Sequence, residues 1–285
     1  MSFQGWCGFR GISRLGGLGG GGQFPIGNEK TMPAPLPNAP IVSSAANGLS
    51  VRLAFNGKTT AFGPVAAVRG SADPAYDHTA HLDGLDHTLS LEPGSALNPT
   101  LHIQASVIDT AAAGGMGVDA ISADGAADVG SANFVLTDNP RVVLGVLGLS
   151  ISASHVHASA TYSHVYGMNK SFTTGDASFG SLNLGGALIG KSLTFSGDAA
   201  PNTVLYSSPT VTVTLDRQTV SDLIPTGTGS NKTPTPAGIA TQAIDISLHN
   251  APLFGGKVSG DIIIGQAWAG LHAKGWIPAF TGMTA

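Results

Sequence analysis

LSVRLAFNG, residues Leu49–Gly57, decides the fold class. Leu49, Val51, Leu53 and Phe55 alternate with Ser50, Arg52 and Ala54, which puts the four apolar side chains on one face of an extended strand. Asn56-Gly57 then supplies the two positive φ angles of a two-residue hairpin turn. The return strand is expected over Thr59–Phe62, ending near Gly63-Pro64. The same period recurs downstream. Leu101, Ile103, Ala105 and Val107 alternate with His102, Gln104 and Ser106; Val211, Val213 and Leu215 with threonines; Ile244, Ile246 and Leu248 with Asp245, Ser247 and His249. Threonine on an open strand face suits the pleated surface through its β-branch. The chain reads as all-β.

Composition agrees. Of 285 residues only 11% are charged, against roughly 25% in ordinary globular chains. Among the 17 acidic residues only Glu29 and Glu92 are glutamate, so the strong surface-helix formers are scarce while Asp, Gly, Ser and Thr abound. Hydrophobic content of 42% with a net charge of -4 excludes charge-driven disorder. The 13 Lys and Arg are scattered, which excludes a nucleic-acid stripe, and no apolar run is long enough for a transmembrane helix. Cys7 alone allows no intramolecular disulfide.

Residues 1–45 differ from the rest. Gly16–Gly22 is glycine except for Leu18, and Pro33, Pro35, Pro37 and Pro40 follow, so a flexible leader is expected. Arg10 and Arg14 lead into no apolar core of signal-peptide type; either export takes another route or the native start lies elsewhere. A single all-β domain is expected over 46–270 and an unstructured tail over 271–285. Within the domain, glycines at 114, 115, 117 and 125 break the alanine-rich window Ala111–Val129, which reads as Gly-rich turns between short strands. A short helix is expected around Gln218–Leu223 and a long exposed loop over 225–238. Leu-Gly bends recur near Val143–Leu149, Leu182–Leu188 and Pro252–Gly256 at unequal spacing, which is not a fixed-period solenoid. The expected architecture is an antiparallel β-sandwich with Gly-rich bends; a β-helix-like stack is the alternative.

Candidate chemistry is sparse. Asp73, Asp77, His78, His81, Asp83, Asp86 and His87 crowd one stretch, with Gly84 among them. A polar loop is the plain expectation there, with no cofactor. As a metal site, Asp77, His81, Asp83, Asp86 and His87 would offer oxygen to Ca²⁺ or imidazole to Zn²⁺. Neither the twelve-residue EF-hand order nor H-E-x-x-H is present. His155 and His157 share a strand face, with His164 beyond. Apolar positions switch from odd (Leu149, Ile151, Ala153) to even (Val156, Ala158, Ala160, Tyr162), and a β-bulge near Ser154 would produce this and turn both histidines to solvent. No G-x-S-x-G elbow exists, Cys7 sits in the leader, paired glutamates are lacking, and Gly16–Gly22 opens no phosphate loop. The expectation is a protein that is not an enzyme.

The run AIDISLHNAPLFGGKVSGDIIIGQAWA (243–269) resembles the closing strands of the choice-of-anchor P family, Gly/Ser/Ala-rich bacterial surface proteins. The matching residues are Ile246–Asn250, Leu253–Gly256 and Gly260–Gly265; PNTVLYSSPTVTVTLDRQ (201–218) is similar to that family's P-N-T…V-T-L-N-E-Q stretch. The resemblance covers about residues 46–269. It implies export and surface display, with no catalytic residues to carry over. No LPxTG-like tail is present, and GWIPAFTGMTA (275–285) resembles a peptide from a reading frame that runs into an intergenic repeat. The expected function is therefore a non-enzymatic secreted or cell-surface structural or adhesive protein that self-associates or binds an extracellular polymer. The alternative is a secreted carbohydrate-binding module or hydrolase using the Asp/His stretch.

Overall fold

The computed structural model describes residues 41–71, 75–95, 98–117, 119–137, 147–165, 170–220, 223–226, 233–236, 238–253 and 255–272. The leader before Ile41, Asp73, the bend at Val143–Val146 and the tail after His272 lie outside the described residues. Every described residue belongs to a single unit.

Two antiparallel sheets make an open sandwich. Sheet A runs in the order β12 (Thr203–Ser207), β13 (Val211–Val220), β16 (Gly238–Leu253), β17 (Gly256–His272), β1 (Ile41–Phe55), β2 (Lys58–Val65), with β3 (Val68–Ser71) also on β1. Sheet B runs β11 (Leu193–Asp198), β10 (Lys170–Gly185), β9 (Leu147–Val165), β8 (Ala120–Thr137), β6 (Thr100–Ala105), β5 (Leu85–Ser90), with β7 (Ile108–Met116) on β8 and β4 (Ala75–Leu82) on β7. A separate hairpin joins β14 (Leu223–Thr226) to β15 (Thr233–Pro236). The Asn56-Gly57 turn is present with φ of 49° and 81°. The sandwich, not the β-helix-like stack, is the architecture.

Several sequence expectations need correction. The domain is longer at both ends than 46–270: β1 begins at Ile41, with Val42 and Ala45 buried, and β17 runs to His272. The alanine-rich window is not a set of turns but a long hairpin, β7 against β8. Glycine is tolerated there because strand pairing and sheet packing override its weak propensity. No helix forms around Gln218–Leu223; β13 continues to Val220 and β14 begins at Leu223. Part of the expected loop 225–238 is the β14–β15 hairpin.

One line across each sheet organises the packing. β6 and β7 keep one register against β8, so they are a single strand interrupted at Ser106-Val107; β4 and β5 are likewise one strand interrupted at Asp83-Gly84, and β2 and β3 one strand interrupted at Ala66-Ala67. On sheet B the interruption lies level with Gly130, His155 and Gly180, which oppose one another across β8, β9 and β10. On sheet A it lies level with Gly48, Gly265, Ala243 and Asp216. Ala66, His155, Asp216 and Gly265 take positive φ there. Along each long strand the inward-facing parity changes at this line. The phase change near Ser154 is thus real, but no residue is inserted. Through this line the register is unbroken on both sides of β9 because its neighbours change phase at the same level, and left-handed His155 makes the change.

Two cores lie to either side of this line, the larger reaching past it at Ile108, Val129, Val156 and Phe179. On one side Leu49, Leu53, Phe55, Ile103, Phe134, Ile151, Ile246, Ile264 and their neighbours form a thick aliphatic core. On the other, Ala46, Ala112, Ala123, Ala127, Ala160, Ala267 and Ala269 surround Tyr76 and Tyr162. Here the sheets nearly touch: a methyl added at Gly125 would lie 2.7 Å from the carbonyl oxygens of Ala45 and Trp268 in the opposite sheet.

Candidate functional site

Of the five metal candidates, Asp77, His81 and Asp86 fall on the outer face of sheet B, Asp83 in the turn between two strands, and His87 on the inward side of β5 with Leu85 and Leu89. Asp77 and His81 are on β4, Asp83 is in the turn at the phase-change line, and Asp86 and His87 are on β5. His81 meets Asp109 through Nδ1 at 2.6 Å and Asp83 through Nε2 at 2.9 Å. Asp86 takes His102 Nε2 at 2.7 Å and accepts from Gln104 Nε2 at 3.1 Å. His87 stacks on Phe62, ring centroids 4.6 Å apart, bridging the sheet edges at β5 and β2. Asp77 stands exposed opposite Ala113. The structure therefore brings His81 and Asp83 together and gives Asp86 and His87 other partners. Among the described residues no group of three or more His, Cys, Asp or Glu side chains is arranged to hold one ion.

Strand register builds something that spacing in the chain does not reveal. His81, Asp109, Asp128 and His157 lie in one row across β4, β7, β8 and β9. The two carboxylates oppose each other directly, a repulsive cross-strand pair, and each carries an imidazole on its far side. His157 Nδ1 lies 2.7 Å from Asp128 Oδ1. The bond to Asp128 lifts the His157 pKa above the ordinary 6.5 against the opposing pull of burial, with Asp128 and Asp176 adding attraction. Bonds to Asp109 and then Asp83 raise His81 in the same direction. Asp86 is held below the usual carboxylate range by its bonds to His102 and Gln104. His155 is exposed at the phase-change line, and His157 is half-buried.

Beside this row the same face is neutral. Gln104, Asn133, Ser152 and Asn183 share one register row; the next holds Ser106, Ser131, Ser154 and Ser181. Ser131 Oγ donates to Ser106 Oγ at 3.0 Å, and Ser154 and Ser181 hydroxyls lie 2.8 Å apart. Gln104, Ser106, Ser131, Asn133 and Ser152 line a shallow open groove of about 480 Å³. Amides and hydroxyls in this arrangement donate and accept without net charge, which suits neutral polar ligands.

A Ser–His contact exists elsewhere. Ser171 Oγ is 3.0 Å from His164 Nδ1 and 3.0 Å from Tyr162 OH. Ser171 is buried against the alanine core, and burial raises the Tyr162 pKa. A nucleophile needs a reacting carbon within reach, and this hydroxyl is enclosed. Sequence reasoning missed Asp109, Asp128 and His102 as partners. Each sits on an alternating strand, but only the register says which residue it faces. Comparison with known proteins gives no match: no family model fits the chain, and no curated protein or solved structure is similar to it.

Proposed function

We propose that the chain is a non-enzymatic secreted or cell-surface β-protein of structural or adhesive type that self-associates by edge-strand pairing. The observation that carries this reading is the open upper edge of both sheets on one side. β11 pairs only with the Ser178–Leu184 part of β10, and β12 only with the Thr212–Leu215 part of β13. Among the described residues no strand pairs with the outer edge of Thr173–Ala177 or of Asp216–Val220, where only Gly175 O (from Gln218 Nε2), Asp216 O (from Asn202 N–H) and Gln218 N–H (to Asn202 Oδ1) have described partners outside the ladder. Unpaired edges of this kind template the addition of another chain. The other side is bridged by the Phe62–His87 stack and the Lys58–Glu92 ion pair at 3.6 Å. The low charge and the resemblance to bacterial surface proteins support the same reading. Light scattering over a concentration series, with electron microscopy of the densest sample, tests it. Oligomers or filaments that dissolve when Thr173→Pro and Val220→Pro, whose N–H groups lie on the outer side with Gly175 and Gln218, block the edges are expected; a strict monomer at all concentrations sinks the idea.

A second reading has its own support. The neutral groove of Gln104, Ser131, Asn133 and Ser152 suits a hydroxyl-rich polymer, as a carbohydrate-binding module would need. Retardation in gels containing a neutral glucan, abolished by Asn133→Trp, is the expected result on that reading.

A further inference from the structure

The two sheets differ on their outer faces. On sheet B the outward residues of β8, such as Ser122, Asp124 and Asp128, are exposed in the usual alternation. On sheet A seven outward residues of the three central strands are not, although Arg52 and His249, near the other end of the same face, are exposed. Ala45, Asn47 and Ser50 of β1, Ile263, Gln266 and Trp268 of β17, and Asp245 of β16 all point away from the sandwich, and none is more than 4% exposed. Ala45 and Trp268, with Ala240 against them, form an apolar cluster separate from both inner cores. No described element packs over this face. The described partners of β1, β16 and β17 are their sheet neighbours or strands of sheet B.

The face also has a hydrogen-bond demand. Asn47 Nδ2 donates to Gln266 Oε1 at 3.0 Å, leaving Asn47 Oδ1 without a partner. Asp245 Oδ2 accepts from the Arg217 guanidinium, leaving Asp245 Oδ1 without one, and Ser50 Oγ has none. Burial raises the Asp245 pKa against the pull of Arg217. An amide oxygen and a carboxylate oxygen both accept, so whatever lies over them must donate. A hydrocarbon surface would leave both acceptors unsatisfied; a peptide, with N–H groups along its length, would not.

We propose that this face is the docking site of the chain's own residues 273–285. They continue directly from β17 in the sequence. Trp276, Ile277, Phe280 and Met283 supply apolar matter for Ala45, Ile263 and Trp268, while the indole N–H and the backbone amides supply donors. The reach is adequate: extended at about 3.3 Å per residue the segment spans about 40 Å, and Ile263 lies about 30 Å back along β17 from His272. On this view the tail is a working part of the domain, whatever the history of its reading frame.

The test compares the full chain, a chain ending at His272 and a chain lacking residues 1–37. Removing 273–285 is expected to lower Tm by about 5 °C or more and to create binding of the dye ANS. A synthetic 273–285 peptide added in trans should reverse both, and removal of 1–37 should cause neither. An unchanged Tm with no dye binding overturns the proposal, as does an effect that follows removal of 1–37 instead. Should the shortened chain not fold, the full-length W276A/F280A variant decides. Dye binding with an intact β-type circular dichroism spectrum supports the docking, and behaviour identical to the parent rejects it.

Discussion

The thick half and the thin half of this sandwich are built by opposite means from the same two sheets. Below the phase-change line, Leu, Ile, Val and Phe hold the sheets apart and bury large side chains, each worth about 1.5–3 kcal/mol relative to exposure. Above it, Ala and Gly let the backbones close in, and each methyl contributes only about 0.8 kcal/mol. Stability in the thin half therefore rests on close fit and on polar bonds, such as Ser44 Oγ to Tyr76 OH at 2.8 Å. Burial pushes the Tyr76 pKa to about 12, partly offset by that bond. The lesson is that one half tolerates few deletions and the other few additions.

Substitutions can break that contrast, and the largest effect is expected in the thick half. Phe134→Ala removes a fully buried ring and should cost about 3–5 kcal/mol in urea unfolding; a loss under 1 kcal/mol would mean the thick core is loosely packed. Gly125→Ala pushes a methyl against two backbone carbonyls and should cost about 1–3 kcal/mol, although alanine is the better strand former on propensity alone. A neutral outcome would show that the sheets separate freely there. At the line itself, His155→Gly should gain up to about 1 kcal/mol, because the left-handed backbone strain of a residue with a Cβ disappears. Destabilisation by that change would indicate that the imidazole itself is needed.

The smallest expected effect is the pH dependence of the His81–Asp109–Asp128–His157 row. The histidine values are raised in the folded protein, so their contribution is complete below the ordinary 6.5 and fades as pH rises through the raised values. Above that range the opposed Asp109 and Asp128 lose their cationic neighbours. Tm should therefore be higher near pH 6 than near pH 8.5, at low salt, and H81Q/H157Q should flatten the difference. A Tm that climbs over the same interval in the parent contradicts the row's role.

Much of the fold was legible from short-range pattern. Alternation at Leu49–Phe55, Leu101–Val107, Val211–Leu215 and Ile244–Leu248 marks buried faces that the structure keeps, except at Val107, which lies at the phase-change line and is exposed. The parity change near Ser154 was equally visible, but not its origin, since a bulge and a coordinated change across neighbours leave the same trace in one strand. The alanine-rich hairpin β7–β8 was misread because glycine's local cost is offset by close sheet packing that no single strand reports. The candidate site was legible only as residue types. The crowding of Asp77, His81, Asp83, Asp86 and His87 in the chain is undone because β4 and β5 form one extended edge strand, which spaces them at about 3.3 Å per residue and turns His87 to the other face.

What the sequence by itself determined is the period: two-residue alternation, with Asn-Gly and Gly-rich bends, commits this chain to antiparallel strands because side chains on a strand must alternate between faces. What only the tertiary structure decided is which strand neighbours which. That choice levels Gly130, His155 and Gly180 into one line, puts Asp109 opposite Asp128, and buries both faces of β17. Hydrogen bonds between strands join residues far apart in the chain, and local propensity carries no information about them.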